Sequence, residues 1–409
     1  MPRRLLGLLC VLLTTGLLLA AVPMGVIGDD ETPVRVIVTF KDKVDEGLVK
    51  DNGGAVDRTL TYIPIVVADL KPKDIKKLEK SDKVKSVEED AVAYAVDDAD
   101  EAKGKPTPPP PPPPPAQETP WGIDRIDADL VWQLDTPSEN TGFGVDVAIL
   151  DTGIDTGHSD LNVVDGYNFV KSGRTLNTAA YNDDNGHGTH CAGIVAALDN
   201  DNGVIGVAPG TNLWAVKVLN KQGLGSYTNI ISAIDWCIGK VDVISMSFSG
   251  GYSSGLETAC QEAYDAGIVL VAAAGNSGSD KAEYPAGYST VISVGATGKS
   301  DLLASWSNYG NEMDLVAPGV SIYSTYKGDT YKTLSGTSMA CPHVAGTVAL
   351  VLFTEIPTKY DSTTTGDTGE WDPAEVIACL EQTADDLGDN YYFGYGLVDA
   401  KEAATGTAS

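Results

Sequence analysis

Positive charge is what this 409-residue sequence has least of: 28 lysines and arginines stand against 57 aspartates and glutamates, a net charge of −29. Phosphate backbones are gripped by Lys and Arg, so no nucleic-acid partner is expected. Cysteine is also scarce, six in all, and the spacing makes no zinc pattern. Cys10 falls in the first apolar run. The five others are an odd number, so at least one has no partner within the chain. Cys237 and Cys260, on consecutive predicted helices, are the pair that could bridge in an exported protein. Cys191 and Cys341 are expected as small core residues on neighbouring buried helices. Only four histidines occur. Long apolar runs are missing everywhere except near the start, so no later segment is expected to span a bilayer.

That one run, residues 5–21, follows Arg3 and Arg4 and precedes the acidic stretch 29–31. This is the layout of an export signal, assigned to residues 1–28, with an uncleaved anchor as the alternative. The expected product is a secreted monomer with no stable membrane association after signal removal. Apolar residues make up 43% of the chain, enough for a core.

Three further segments follow. Residues 33–96 combine an alternating run (34–40), a second strand (63–70), a lysine-rich helical stretch (71–81) and a third strand region (84–96), which suggests a small α+β unit. Residues 97–115 end in eight consecutive prolines, Pro108 to Pro115, an extended spacer. From 116 to 409, short apolar runs at 145–151, 213–219, 241–248, 268–276 and 290–296 alternate with helical stretches such as 226–239 and 256–267. Continuous apolar strands alternating with helices predict a parallel sheet covered on both faces, with its working site at the strands' carboxyl ends.

Four stretches carry candidate chemistry. "AILDTGID" ends a strand at Asp151, a partly buried carboxylate before a glycine turn. "DNGHGTHCAGIVAAL" holds His187 and His190, with a helix expected from about Thr189; without a glutamate between them a zinc-protease pair is disfavoured, and His187 reads as a general base. "AAAGNSG" places Asn276 at a sheet edge, where its amide can donate to an oxyanion. "GTSMACPHVAG" places Ser338 at the mouth of a helix, its hydroxyl expected to be exposed among small residues and served by helix N–H groups.

In this order the four motifs closely resemble the subtilisin-like serine proteases, over about residues 34–403. The resemblance implies a subtilisin-like doubly wound, mostly parallel α/β sheet preceded by a ferredoxin-like inhibitory propeptide at 33–96. It implies a serine endopeptidase in which Asp151 orients His187, His187 serves Ser338, and Asn276 with the Ser338 N–H holds the oxyanion. An extended protein substrate would pair with Gly223, Leu224 and Gly225 on one side and with Ser247, Phe248 and Ser249 on the other, with Ala273 and Gly275 lining the groove. Ser249 stands where glycine is usual. Broad action, favouring apolar or aromatic residues before the cut, is the family's habit. The resemblance also implies structural Ca²⁺ held by Gln117, Asp160, Asn200 and the carbonyls of Leu198, Asn202 and Val204. The propeptide would act as an intramolecular chaperone and inhibitor, first cut after Val96. The acidic loop 361–373 reads as an insertion. The rival expectation is a catalytically silent binding or scaffold protein on the same fold, which a serine-labelling phosphonate would separate from an enzyme.

Overall fold

The computed structural model describes residues 31–95, 117–134, 140–171, 175–357, 360 and 371–407. The assigned signal 1–28, the cut after Val96, the proline tract and most of the acidic insertion lie outside them.

The first unit runs β1 (Val34–Phe40), α1 (Glu46–Asp51), β2 (Ala55–Thr59), β3 (Ile65–Leu70), α2 (Pro72–Leu78) and β4 (Val84–Glu89). Its sheet has the order β2-β3-β1-β4 and is antiparallel, the ferredoxin-like arrangement. α1 and β2 were not anticipated: α1 is only six residues long, and β2 alternates between exposed and half-buried residues, so neither carries an apolar run. The Asp45 carboxylate caps α1 by accepting from the Leu48 N–H at 2.9 Å. A last strand, β5 (Val92–Ala95), leaves this unit altogether.

The larger unit continues with α3 (Trp121–Arg125), α4 (Ala128–Val131), β6 (Asp146–Asp151), β7 (Val163–Asn168), α5 (His187–Ala196), β8 (Asn212–Lys217), β9 (Leu224–Ser226), α6 (Tyr227–Cys237), β10 (Val243–Met246), β11 (Phe248–Ser249), α7 (Ser254–Asp265), β12 (Val269–Ala273), β13 (Ile292–Thr297), β14 (Leu315–Pro318), β15 (Ile322–Tyr326), β16 (Thr330–Leu334), α8 (Thr337–Leu352), α9 (Pro373–Thr383), α10 (Asn390–Phe393) and α11 (Ala400–Thr405). Seven strands form one parallel sheet in the order β14-β13-β12-β10-β6-β8-β7.

Strand periodicity splits the interior into two cores. Val147 and Ile149 of β6 face one, with α5 and α8; Ala148 and Leu150 face the other, with α6 and α7. The first unit packs on this second core through Ile37, Ile63 and Ile65. Gly255 makes that approach possible, since a Cβ there would stand 2.7 Å from Ile37 Cγ2. The chain reverses its order in the sheet between β6 and β10, which opens a crevice at their carboxyl ends.

Five cysteines are described, all buried thiols. Cys237 and Cys260, the pair that could have bridged, are separate thiols: each is an apolar filler in the core under α6 and α7. Burial pushes the Cys237 thiol up to about 12 and Cys260 higher still. Among the described residues no helix is long and apolar enough to cross a membrane.

Candidate active site

Asp151 is the last residue of β6 and fully buried, more enclosed than a strand-end carboxylate was expected to be. Both carboxylate oxygens lie 2.9 Å from His187 Nδ1, which donates to them. The neutral ring then carries its lone pair on Nε2. That atom is buried and has no hydrogen-bond partner among the described residues. Burial drags the His187 pKa down, but the Asp151 carboxylate outweighs it and the ring sits well above its ordinary value.

α5 begins at His187 itself, two residues earlier than expected, because a buried carboxylate outside the motif organises its first turn. Asp183 accepts from the N–H of Asn185 and Gly186 at 2.9 Å each, and from the Thr189 N–H and hydroxyl at 3.0 and 2.6 Å. Gly188 has to be glycine, since any Cβ would collide with the Gly153 carbonyl and stand 3.0 Å from the Asp151 Cβ. His190 points elsewhere. Its Nε2 donates toward the Ile322 and Lys332 carbonyls, and burial lowers its pKa to about 3, so it is a neutral structural residue.

Ser338 lies in the first turn of α8 and is fully buried rather than exposed. Pro342, four residues on, has no N–H to give the Ser338 carbonyl. That carbonyl is satisfied from outside the helix instead, by the Ser247 hydroxyl at 2.9 Å and the Cys191 thiol at 3.4 Å. Cys191 Sγ in turn lies 4.0 Å from His187 Nδ1. The Ser338 hydroxyl donates to the Ser247 carbonyl at 3.2 Å. The ligand-type atoms of Asp151, His187 and Cys191 lie within 4.8 Å of one another. Burial raises the Cys191 thiol, so it serves as a protonated filler and donor rather than a thiolate.

Asn276 follows β12. Its Oδ1 accepts from the Thr337 N–H and hydroxyl, both at 2.9 Å. Gly275 has φ of +109° and donates its N–H to Thr337 Oγ1 at 3.2 Å. Ala273 is buried in the core at the end of β12.

The residues expected to pair with a substrate on either side come together around β5. Val92, Ala93 and Tyr94 pair antiparallel with Ser226, Gly225 and Leu224; Tyr94 and Ala95 pair with Ser249 and Phe248. The Ala95 N–H donates to the Gly223 carbonyl at 2.7 Å. The unit behind β5 is anchored by carboxylates at helix starts. Asp90 accepts from the Thr228 N–H at 3.0 Å, and Glu88 from the Ser254 and Gly255 N–H groups at 3.1 and 2.8 Å. Asp235 accepts from the N–H groups of Thr61, Tyr62 and Ile63.

The residues named for a cation also converge. Gln117 Nε2 donates toward the Leu198 and Val204 carbonyls, and its Oε1 accepts from the Asp201 N–H at 3.3 Å. Asp160 Oδ2 accepts from the Val204 N–H at 3.0 Å and the Tyr331 hydroxyl at 3.2 Å, while its Oδ1 is buried without a partner among the described residues. Burial pushes this carboxyl up to about 6. Asn200 and Asn202 bond across the turn to each other and to Ser159. An orphaned carboxylate oxygen beside two inward-facing carbonyls is a donor set that fits a hard cation.

The profile described as the subtilase family matches residues 142–396. Subtilisin E of Bacillus subtilis (strain 168) is 40% identical over 390 residues, covering 92% of this chain and 92% of that protein. Subtilisin DY of Bacillus licheniformis is 48% identical over 295 residues, 71% of this chain and 100% of the relative. A thermostable alkaline protease of Halalkalibacterium halodurans is 38% identical over 399 residues, 96% and 97% of the two chains.

Proposed function

Because this chain belongs to the subtilase family and is a serine endopeptidase, we propose that Ser338 is its nucleophile, His187 its general base and Asp151 the carboxylate that orients the base. His187 Nε2 takes the proton as Ser338 Oγ bonds to the substrate carbonyl carbon. The negative charge that develops on the carbonyl oxygen is met by the Asn276 amide and the Ser338 N–H. The imidazolium then gives its proton to the leaving amine, an acyl-enzyme remains, and water attacks it by the same proton route in reverse. The observation that carries this reading is the doubly bonded Asp151–His187 pair, whose Nε2 has no competing partner among the described residues.

Strands β9 and β11 take an extended peptide between them. Residues 33–96 are a propeptide that lays its own β5 in that place and so inhibits the enzyme until cut after Val96; the two-sided pairing of β5 supports this. The main domain starts at 116, after the 97–115 linker. The leader at 1–28 directs export. Gln117, Asp160, Asn200 and the carbonyls of Leu198, Asn202 and Val204 would hold a structural Ca²⁺, which would neutralise Asp160 and tie the segment at 117 to the 198–204 loop. The test is the full-length chain against Ser338→Ala. Wild type should yield a fragment starting at Asp97 or later, react with a serine-directed phosphonate and cleave casein; the variant should do none of these. Processing that persists in the purified variant defeats the assignment.

A further inference from the structure

Lys217 belongs to none of the four motifs, yet it carries a buried cation beside the Asp151 strand end. It is the last residue of β8, lies across from Asp151 in the pairing of β6 with β8, and is only 5% exposed. A lysine is seldom buried so far without acceptors that hold its charge. Here Nζ donates to the carbonyl of Thr152, the residue after Asp151, and to the Asp184 carboxylate at 2.7 Å. Asp184 stands three residues before His187. The two acceptors therefore belong to the two turns that present the Asp151–His187 pair, one leaving β6 and one entering α5. The backbone just beyond Lys217 is fixed to the same place, since the Val218 and Leu219 N–H groups donate to the Asp151 carbonyl at 2.9 and 3.0 Å. A neutral link runs alongside: the Thr152 hydroxyl donates to Asp183 at 2.9 Å and accepts from the Gly188 N–H at 3.0 Å. The Asp184 side chain itself is 54% exposed, so water competes for it wherever Lys217 lets go.

We propose that Lys217 is a positioning residue for peptide hydrolysis: by bridging the Thr152 carbonyl and the Asp184 carboxylate it sets the separation of the two turns, and with it the geometry in which His187 Nδ1 meets both Asp151 oxygens. This rests on the reading of Asp151 and His187 as orienting carboxylate and base. A charge-assisted hydrogen bond is about twice as strong as the neutral link beside it. Lysine suits the place because its three N–H donors surround one point charge and can turn to two acceptors that lie in different directions. Its partners lie on the turns of the Asp151–His187 pair and not on β9 or β11, so substrate binding is spared while the chemical step depends on it.

The test compares wild type, Lys217→Met, Asp184→Asn and the double variant, each matured from the full-length chain, in trans by tagged wild type where self-processing stalls. Each is assayed on a chromogenic peptide anilide across pH, with thermal unfolding in parallel. Lys217→Met keeps the aliphatic stem and removes the charge. It should lower kcat by roughly 30- to 100-fold, as a misplaced catalytic group does, with KM within about twofold of wild type. The acid limb of its pH–rate profile should move down, because a loosened Asp151 raises the His187 pKa less. Asp184→Asn should shift kcat and the limb in the same direction, and the double variant should be no worse than Lys217→Met, since the two side chains act as one unit. A Lys217→Met enzyme that melts earlier but keeps the wild-type kcat and acid limb overturns the proposal, as do losses from the two single variants that add in full. Should Lys217→Met not fold, Asp184→Asn decides, and an unchanged kcat and limb there overturns the proposal equally. If wild type itself neither cleaves the anilide nor reacts with the phosphonate, the reading of the Asp151–His187 pair fails and takes the proposal with it.

Discussion

The Asp151 carboxylate holds the His187 imidazole protonated to a higher pH than a free ring would be. The folded pKa lies above the ordinary 6.5, with the carboxylate outweighing burial. The acid limb of kcat/KM should therefore fall above pH 6.5, activity rising as the ring loses its proton. By the same shift, the protonated pair stabilises the fold fully below the unfolded pKa, and that contribution is lost as pH rises through the folded value. Asp151→Asn removes the raising partner and leaves burial, so the limb should move down while turnover drops by about four orders of magnitude. A pH–rate profile that does not move would show that another group titrates. Ser338→Ala should cost on the order of a millionfold in turnover, read from peptide hydrolysis. These candidates were legible in the sequence because glycines crowd around them, and glycine is what close backbone approach requires at Gly188. Asp183 and Asp184 were not. Each sits in a polar turn whose composition is ordinary, and its importance lies in partners that only the fold brings near.

At the scale of elements, strand runs were readable and short polar pieces were not. β6, β10, β12 and β13 are buried on both faces, so their apolar runs gave them away. β5 looked like the end of one strand region with β4, but Asp90 at the junction turns outward to cap α6, and β5 crosses to a different sheet. Nothing local in "VEEDAVAYAV" distinguishes a strand of its own sheet from one borrowed by another. The contacts of Glu88 and Asp90 with the starts of α7 and α6 lead to an experiment. Each is a charged acceptor at a helix N-terminus, worth about 1 kcal/mol. Replacing both by alanine should weaken inhibition of mature enzyme by an added 33–96 fragment by about thirtyfold. The inhibition constant measures this directly, and an unchanged value would mean that β5 alone carries the affinity.

For the molecule as a whole, the excess of negative charge is concentrated after residue 115, where 38 acidic residues face 12 basic ones. That field draws cations to the surface without assigning them a place. Asp160 offers such a place: a buried carboxylate with one oxygen unpartnered among the described residues, next to carbonyls from a loop whose Gly203 (φ +64°) allows Tyr331 and Asp160 to close over it. Burying a charge this way is costly unless something positive balances it. A bound Ca²⁺ would do so while joining residues far apart in the chain, 117, 160 and the 198–204 turn, so its loss should be felt globally rather than in one loop. At a concentration about a hundred times its Kd, a single-site ligand adds about 2.7 kcal/mol. For a unit of this size that is a fall of roughly 4 to 5 °C in Tm on adding a chelator, reversed by excess Ca²⁺ and not by Mg²⁺, which demands a tighter, more regular shell. Asp160→Asn removes the buried charge that calls for the ion, so the variant should lose the difference between chelated and calcium-loaded samples even if its own Tm is altered. Thermal unfolding of wild type that is identical with and without chelator would leave Asp160 as a buried acid that stays protonated to higher pH, and the Gln117 amide as the group that satisfies the Leu198 and Val204 carbonyls.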